Sequence, residues 1–314
     1  MTRSSVLCAI VIVACGIIGL KAQQPLVGRV PPPGQTTQPR PAATGLGGVE
    51  PIVKVATNLY VIPGAGGNTA VFVTNQGVVL VDTKLANNGQ AILDQVKTVT
   101  DKPVTTIIST HSHADHVGSN GFFPADVQVV AHERTDENMR KMPMFQEAVH
   151  RNGLPDKMFK DRLTLFAGAE AIDLYYFGRA HTGGDALVVF RAARVMHASD
   201  ILGSKALALV DNAAGGSTLE YGDTIAKAVA AIKNVTSVIS GHADVMTWQD
   251  FVDYGEFNRL FAAHARAAHK AGKTPDQAAA EFVVPERLQQ FGRASGRARA
   301  AGNFPQAFFE LEQK

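Results

Sequence analysis

Cysteine is nearly absent from this chain. Its 314 residues hold only Cys8 and Cys15, both within the first 22. Everything beyond them lacks a thiolate ligand, a disulfide and a cysteine nucleophile, so a metal there must be held by nitrogen and oxygen. An excess of one charge sign is also missing. Thirty Lys and Arg stand against 28 Asp and Glu, a net of +2, which provides no basic field for nucleic acid. No G-x-S-x-G occurs, which removes the serine elbow of many hydrolases. What remains is an ordinary globular balance, 46% hydrophobic and 18% charged, on a chain long enough for a large core.

The two cysteines sit in a segment of its own kind. Residues 1–22 carry a basic start (Arg3), an apolar run from Val6 to Leu20, and Ala22 where a cleavage would fall. The run is short for a membrane span and contains Gly16 and Gly19. The expectation is an export signal, a periplasmic or secreted protein, and no span in the mature form. "IVAC" at 12–15 also resembles a bacterial lipobox that would anchor Cys15, although the apolar "GIIGLK" after it favours simple secretion. Without residues 1–22 the charges balance at 28 and 28. Residues 23–48 are rich in Pro, Gly, Gln and Thr and read as a linker. The expected partner is a small-molecule substrate, with no nucleic acid; nothing in the sequence sets an oligomeric state.

From Val49 onward, short apolar runs alternate with turn signals. Strands are expected at 58–64, 69–77, 77–83, 103–110, 127–132, 171–177, 186–190, 194–198 and 237–242. Apolar residues at 92, 93, 96 and 99 predict a helix within 85–99. A second helix is expected over 217–235, with Ser217 and Glu220 as a capping box. Helical patterns continue from Trp248 to the end, interrupted by Pro275, Pro285 and Pro305. Strands first and helix–strand alternation afterwards imply mixed sheets covered by helices. The division expected is a catalytic domain over 49–246 and a C-terminal helical extension over 247–314.

One stretch carries chemistry. "STHSHADHVGSN" (109–120) places His111, His113, Asp115 and His116 at the end of a predicted strand. Side chains alternate along extended chain, so His111 and His113 point the same way and can share one metal. Asp115 and His116 follow where the chain turns and can face a second ion. Neutral imidazole and carboxylate suit zinc-like ions.

This H-x-H-x-D-H pattern resembles the metallo-β-lactamase superfamily, over most of the chain from about Val49 to His242. Later family ligands have matches in order: His181 in "GRAHTGGD", Asp200 in "VMHASD" and His242 in "ISGH". The resemblance implies a four-layer αββα sandwich, of mixed α+β and α/β character, with extra C-terminal helices. It implies that His111, His113 and His181 hold one metal, that Asp115, His116 and His242 hold another, and that Asp200 bridges them. Two Zn²⁺ are the implied cofactors, with iron or manganese as alternatives. Asp115 is the candidate to orient or carry a proton in catalysis. Family β-lactamases with a cysteine ligand carry it where this chain has Asp200, with a substrate-binding lysine three positions on. Here that place is Gly203, and the nearest lysine is Lys205. A bridging Asp looks like the glyoxalase II and lactonase branches. The expected activity is hydrolysis of an ester, thioester, lactone or β-lactam. The alternatives are a non-haem iron oxidoreductase resembling persulfide dioxygenases, or a non-catalytic metal-binding accessory protein.

Other residues carry weaker signals. Asp82 is either a family-like support for the metal loop or a strand-end turn residue. His197 reads mainly as a surface or core imidazole, and His132, His150, His264 and His269 as surface residues. "GAGGN" (64–68) is a hairpin loop that overhangs the substrate in the family. Arg259, Arg266, Lys270, Arg287, Arg293, Arg297 and Arg299 read as a solvated helix face rather than an anion site.

Overall fold

The computed structural model describes residues 47–291 and 296–313, and the expected export segment and nearly all of the expected linker lie outside them. Seven strands form the first sheet in chain order: β1 (Val53–Ala56), β2 (Leu59–Ile62), β3 (Thr69–Val73), β4 (Val78–Val81), β5 (Val104–Ser109), β6 (Gln128–His132) and β7 (Lys157–Phe159). The first four pair antiparallel, whereas β4 to β7 run parallel. The second sheet holds β8 (Arg162–Leu165), β9 (Ile172–Tyr175), β10 (Leu187–Phe190), β11 (Val195–Ser199), β12 (Ser237–Ser240) and β13 (Met246–Thr247), in the order β13-β12-β11-β10-β9-β8. In it β11–β12 pairs parallel, and the other four pairs among the described residues are antiparallel.

Side-chain parity turns these sheets into four layers. In β4, Val79 and Val81 enter the core between the sheets, and Val78 and Leu80 point the other way. In β10, Val188 and Phe190 face the first sheet, and Leu187 and Val189 face outward. Both faces of β4 and β10 are buried, so these two strands read as continuous apolar runs rather than alternating ones. Phe72 and Phe190 meet across the inter-sheet core at 5.1 Å. Outside the first sheet lies α1 (Gly89–Lys97), with Ile92 and Val96 inward. Three short helices follow: α2 (Ala114–Val117), α3 (Glu133–Met139) and α4 (Pro143–Gln146). Outside the second sheet lie α5 (Tyr221–Ala231), α6 (Trp248–Lys270), α7 (Pro275–Glu281) and α8 (Gly296–Glu312). The αββα sandwich with extra C-terminal helices is present.

Several local expectations change. Four strands escaped the sequence reading: β1, β7, β8 and β13, each four residues or fewer and partly exposed, so little apolar pattern marks them. α5 starts at Tyr221 rather than directly after Ser217; Ser217 Oγ accepts from Glu220 N–H at 3.1 Å, one half of the expected box, and donates to Glu310. The capping boxes are Thr247–Asp250 on α6 and Thr274–Gln277 on α7. Pro275 therefore opens a helix. Pro305 lies inside α8, where burial of Phe304, Ala307 and Phe308 outweighs the lost backbone bond. Among the described residues no helix is long and apolar enough to cross a membrane.

Candidate metal centre

Parallel strands place their C-terminal ends at one edge of a sheet. Here β4 ends before Asp82, β5 runs into His111, β11 ends before Asp200, and β12 ends before Gly241 and His242. Two of these ends turn sharply through left-handed backbone at non-glycine residues, Asp82 (φ 64°) and Ser199 (φ 46°). The strain is held by a buried knot of hydrogen bonds. The Asp82 carboxylate accepts from Thr110 N–H (2.8 Å), Thr110 Oγ1 (2.7 Å), His116 Nδ1 (2.7 Å) and Ser199 Oγ (3.2 Å). Asp82 thus joins the ends of β4, β5 and β11 to α2, well beyond a turn role.

Seven predicted residues come together at this edge. One group is His111, His113, His181 and Asp200; another is Asp115, His116 and His242. Asp200 lies against both: Oδ2 is 3.5 Å from His181 Nε2, whereas Oδ1 is 3.2 Å from His242 Nε2 and 3.4 Å from His116 Nε2. Asp115 Oδ2 stands 3.4 Å from His242 Nε2 and 3.6 Å from His116 Nε2. Lys205 is elsewhere, bonded to Asp250 and Gln290.

The hydrogen bonds behind the rings fix which nitrogens are bare. His181 Nδ1 faces the Leu209 carbonyl at 2.8 Å, and a carbonyl only accepts, so that nitrogen carries the proton and Nε2 does not. His113 Nε2 donates to Asp211 Oδ2 at 2.9 Å, leaving Nδ1 bare. The two bare nitrogens then face each other at 2.9 Å. Two lone pairs at that distance repel unless a cation lies against both. His111 Nε2 is buried and has no hydrogen-bond partner among the described residues, and its Nδ1 rests on Thr110 Oγ1. Orphaned buried acceptors with their opposite nitrogens anchored are what a metal requires of its ligands. The donor set, all nitrogen and oxygen, fits divalent ions of the zinc type.

Electrostatics agree. Burial, with His116 and His181 close by, pushes His111 well below the usual histidine range, so it stays neutral. Burial opposes charge on His116, yet Asp200 and Asp82 hold it well above that range. Asp200 is held well below the carboxylate range despite burial, by His116, His242 and His181.

Close approach explains two glycines. A Cβ on Gly67 would stand 2.2 Å from His116 Cε1, and one on Gly241 would stand 1.8 Å from Asp200 Oδ1. The "GAGGN" loop packs beneath the site: Gly67 N–H bonds Asp115 O, Asn68 N–H bonds Gly241 O, and the Asn68 amide holds the carbonyls of Ser240 and Ala243. The loop supports ligands, a role not expected from its sequence. Asp211, Thr110, Ser199 and the Leu209 carbonyl were also not singled out. Each acts by hydrogen bonding to a ligand; Asp211, Ser199 and Leu209 are brought near only by the fold, whereas Thr110 adjoins His111 in sequence.

The remaining histidines separate. His197 is a core imidazole, its Nε2 bonded to Asn68 O at 3.1 Å. His132 is buried, not on the surface; it stacks on Tyr176 at 3.9 Å, and burial lowers its pKa to about 4. His264 and His269 are half-buried against Phe282, Phe304 and Phe308, and His150 is half-exposed. Arg259, Arg266, Lys270 and Arg287 are exposed on the helices; the side chains of Arg293, Arg297 and Arg299 lie outside the described residues.

The family model for the metallo-beta-lactamase superfamily matches residues 62–242, more than half of the chain. The chain belongs to this superfamily. It is 25% identical over 203 residues to metallo-beta-lactamase IND-1 of Chryseobacterium indologenes, covering 62% of this chain and 81% of that one. Among solved structures it is similar to the stereoselective inverting sec-alkylsulfatase Pisa1 from Pseudomonas sp., with a TM-score of 0.65 and 16% identity over 80% of this chain. The chain spans about half of that enzyme's length, 49%. A metallo-beta-lactamase from Pontibacter korlensis gives a TM-score of 0.55 at 19% identity, covering 66% of this chain and 99% of that one. At these identities the structural likenesses establish the fold. The superfamily membership makes the protein a hydrolase-type metalloprotein with a His/Asp cluster able to hold metal.

Proposed function

We propose that the protein is a two-metal hydrolase, zinc being the ion its ligands suit best, acting on a carbonyl-centred bond of a small molecule. The supporting observation is the position of Asp200, whose two oxygens face separate ligand groups. His111, His113 and His181 would hold one ion, and Asp115, His116 and His242 the other. Such ions, when bound, lower the pKa of water to about 7 and polarise the bond under attack. The chain's own residues do the rest. His111, His116 and His181 are sealed from solvent, whereas His113, Asp115 and His242 keep 26%, 31% and 29% of their side chains exposed. Substrate therefore approaches past these three. Asp115, a carboxylate on that open side, is placed to accept a proton from the attacking water. A cleft of about 450 Å³ continues from His113 along Leu209–Ala213 to Gln306 and offers room for the remainder of the substrate.

The test is elemental analysis of purified protein, followed by chromogenic ester, lactone, thioester and cephalosporin substrates, with a secondary alkyl sulfate alongside. Two zinc ions per chain and turnover of a carbonyl substrate support the reading. Iron with oxygen uptake, turnover of the sulfate alone, or no metal overturns it.

A further inference from the structure

The polar face of α8 lies on the loop that orients two of the candidate ligands. Asn303, Gln306 and Glu310 follow one another at helical spacing, while Phe304, Ala307 and Phe308 bury the other face. Asn303 Nδ2 donates to Ala208 O (2.7 Å), and Gln306 Nε2 to Val210 O (3.3 Å). Glu310 gathers three donors: Asn212 Nδ2 (3.1 Å), Ser217 Oγ (2.5 Å) and Thr218 N–H (2.7 Å). Its side chain is 10% exposed, and Arg179 NH2 stands 3.8 Å from Oε2. Between these fastenings lie the two groups that anchor the rings: the Leu209 carbonyl on His181 Nδ1 and the Asp211 carboxylate on His113 Nε2. The loop is further tied to the His181 segment, with Asp211 N–H on His181 O and Ser217 N–H on Ala180 O.

We infer that Glu310 is a positioning residue for His113 and His181, with α8 as the strap that sets their tautomers and ring directions from the outer helical layer. The inference builds on the metal-site reading but concerns the anchors behind the rings, which exist with or without an ion. Losing Glu310 leaves Asn212 Nδ2 with Gly216 O, leaves Ser217 Oγ with Glu220 N–H, and takes the acceptor from Thr218 N–H, which loosens the C-terminal end of the span holding Leu209 and Asp211. His116, fastened by Asp82, has no share in this strap.

The experiment compares the full chain with Glu310→Ala and Glu310→Gln, using long-range ¹⁵N histidine spectra of metal-free protein and zinc titration against a chromophoric chelator. Wild type should show His113 protonated on Nε2 and His181 on Nδ1. Glu310→Ala should average both signals and weaken one zinc equivalent by about tenfold, leaving the His116 signal and the other equivalent unmoved. Glu310→Gln keeps an acceptor for Asn212 and Thr218 and should restore both readouts to within about threefold of wild type. Ile92→Ala, a cavity in the α1 layer, controls for lost stability alone and should move neither. If Glu310→Ala does not fold, Ser217→Ala and Asn303→Ala should give the same pattern in smaller measure. Folded variants with unchanged His113 and His181 signals overturn the inference, as does equal weakening of both zinc equivalents. Should wild type take up no zinc, the metal reading falls, and the histidine spectra still decide this one.

Discussion

His116 donates its Nδ1 proton to Asp82 Oδ2 across 2.7 Å, with both side chains fully buried. The contact aims Nε2 at Asp115, Asp200 and His242 and gives the ring the basicity of a good ligand. Asparagine at position 82 cannot serve all four of the donors that now converge there; its amide meets Thr110 N–H or His116 N–H donor to donor. Asp82→Asn should therefore weaken metal affinity by roughly 10–100-fold while the fold persists. Competition with a chelator measures it, and unchanged affinity would remove Asp82 from the site's support.

Gly67 gives a sterically driven prediction. His116 is 0% exposed and held at its far side by Asp82, so it cannot retreat from a methyl group 2.2 Å from its ring. Gly67→Ala should cost about 1–3 kcal/mol of stability and displace the ring from its ligand direction. Thermal unfolding and zinc titration together check this. A variant that matches wild type in both would show that the loop yields easily.

How much of this could be read beforehand follows from where the information lies. The seven candidate ligands were legible because they cluster in a short motif and then recur at strand ends in a fixed order. The layers were legible because strands buried on both faces appear as "VVLV" and "LVVF". Asp211, Thr110 and Ser199 were not, because an aspartate or hydroxyl in a loop looks the same whether it meets solvent or an imidazole. Ser217 was legible in part: its Oγ accepts from Glu220 N–H as the spacing suggests, but its bond to Glu310, 93 residues on, leaves no local pattern. Lys84 offered no signal at all, since a lone lysine after a strand is ordinarily solvated.

In the fold Lys84 is fully buried, and Nζ donates to Ile62 O (2.7 Å) and Gly67 O (2.9 Å). Burial lowers its pKa to about 7, against the opposing pull of Asp82. Between that value and the ordinary 10.5, the unfolded chain binds a proton that the native chain does not. This contribution to stability therefore rises as pH is raised from about 7 toward 10.5, and is flat below 7, by at most roughly 1.4 kcal/mol per pH unit. Denaturant unfolding at pH 7, 8 and 9 should show that slope in wild type and its loss in Lys84→Met. Equal slopes in the two proteins would mean that Lys84 keeps its charge inside.

Asp200 is the residue on which the two-metal reading turns. Its carboxylate lies within 3.5 Å of His181 on one oxygen and of His116 and His242 on the other, and Tyr221 Oη donates to its backbone carbonyl at 2.9 Å, fixing the residue from α5. Asp200→Asn keeps the shape but replaces one oxygen with a donor. That amide would satisfy a bare histidine nitrogen directly, competing with the ion for it, and the remaining charge on the second group falls by one. Metal content should drop from two ions per chain to about one, and turnover by at least about 100-fold. Lys205→Ala, which loses only contacts to Asp250 and Gln290, should keep both. Elemental analysis of the two variants after dialysis against a weak chelator separates the cases. A fully loaded and fully active Asp200→Asn protein would show that each ligand group holds its ion alone, with Asp200 bridging nothing.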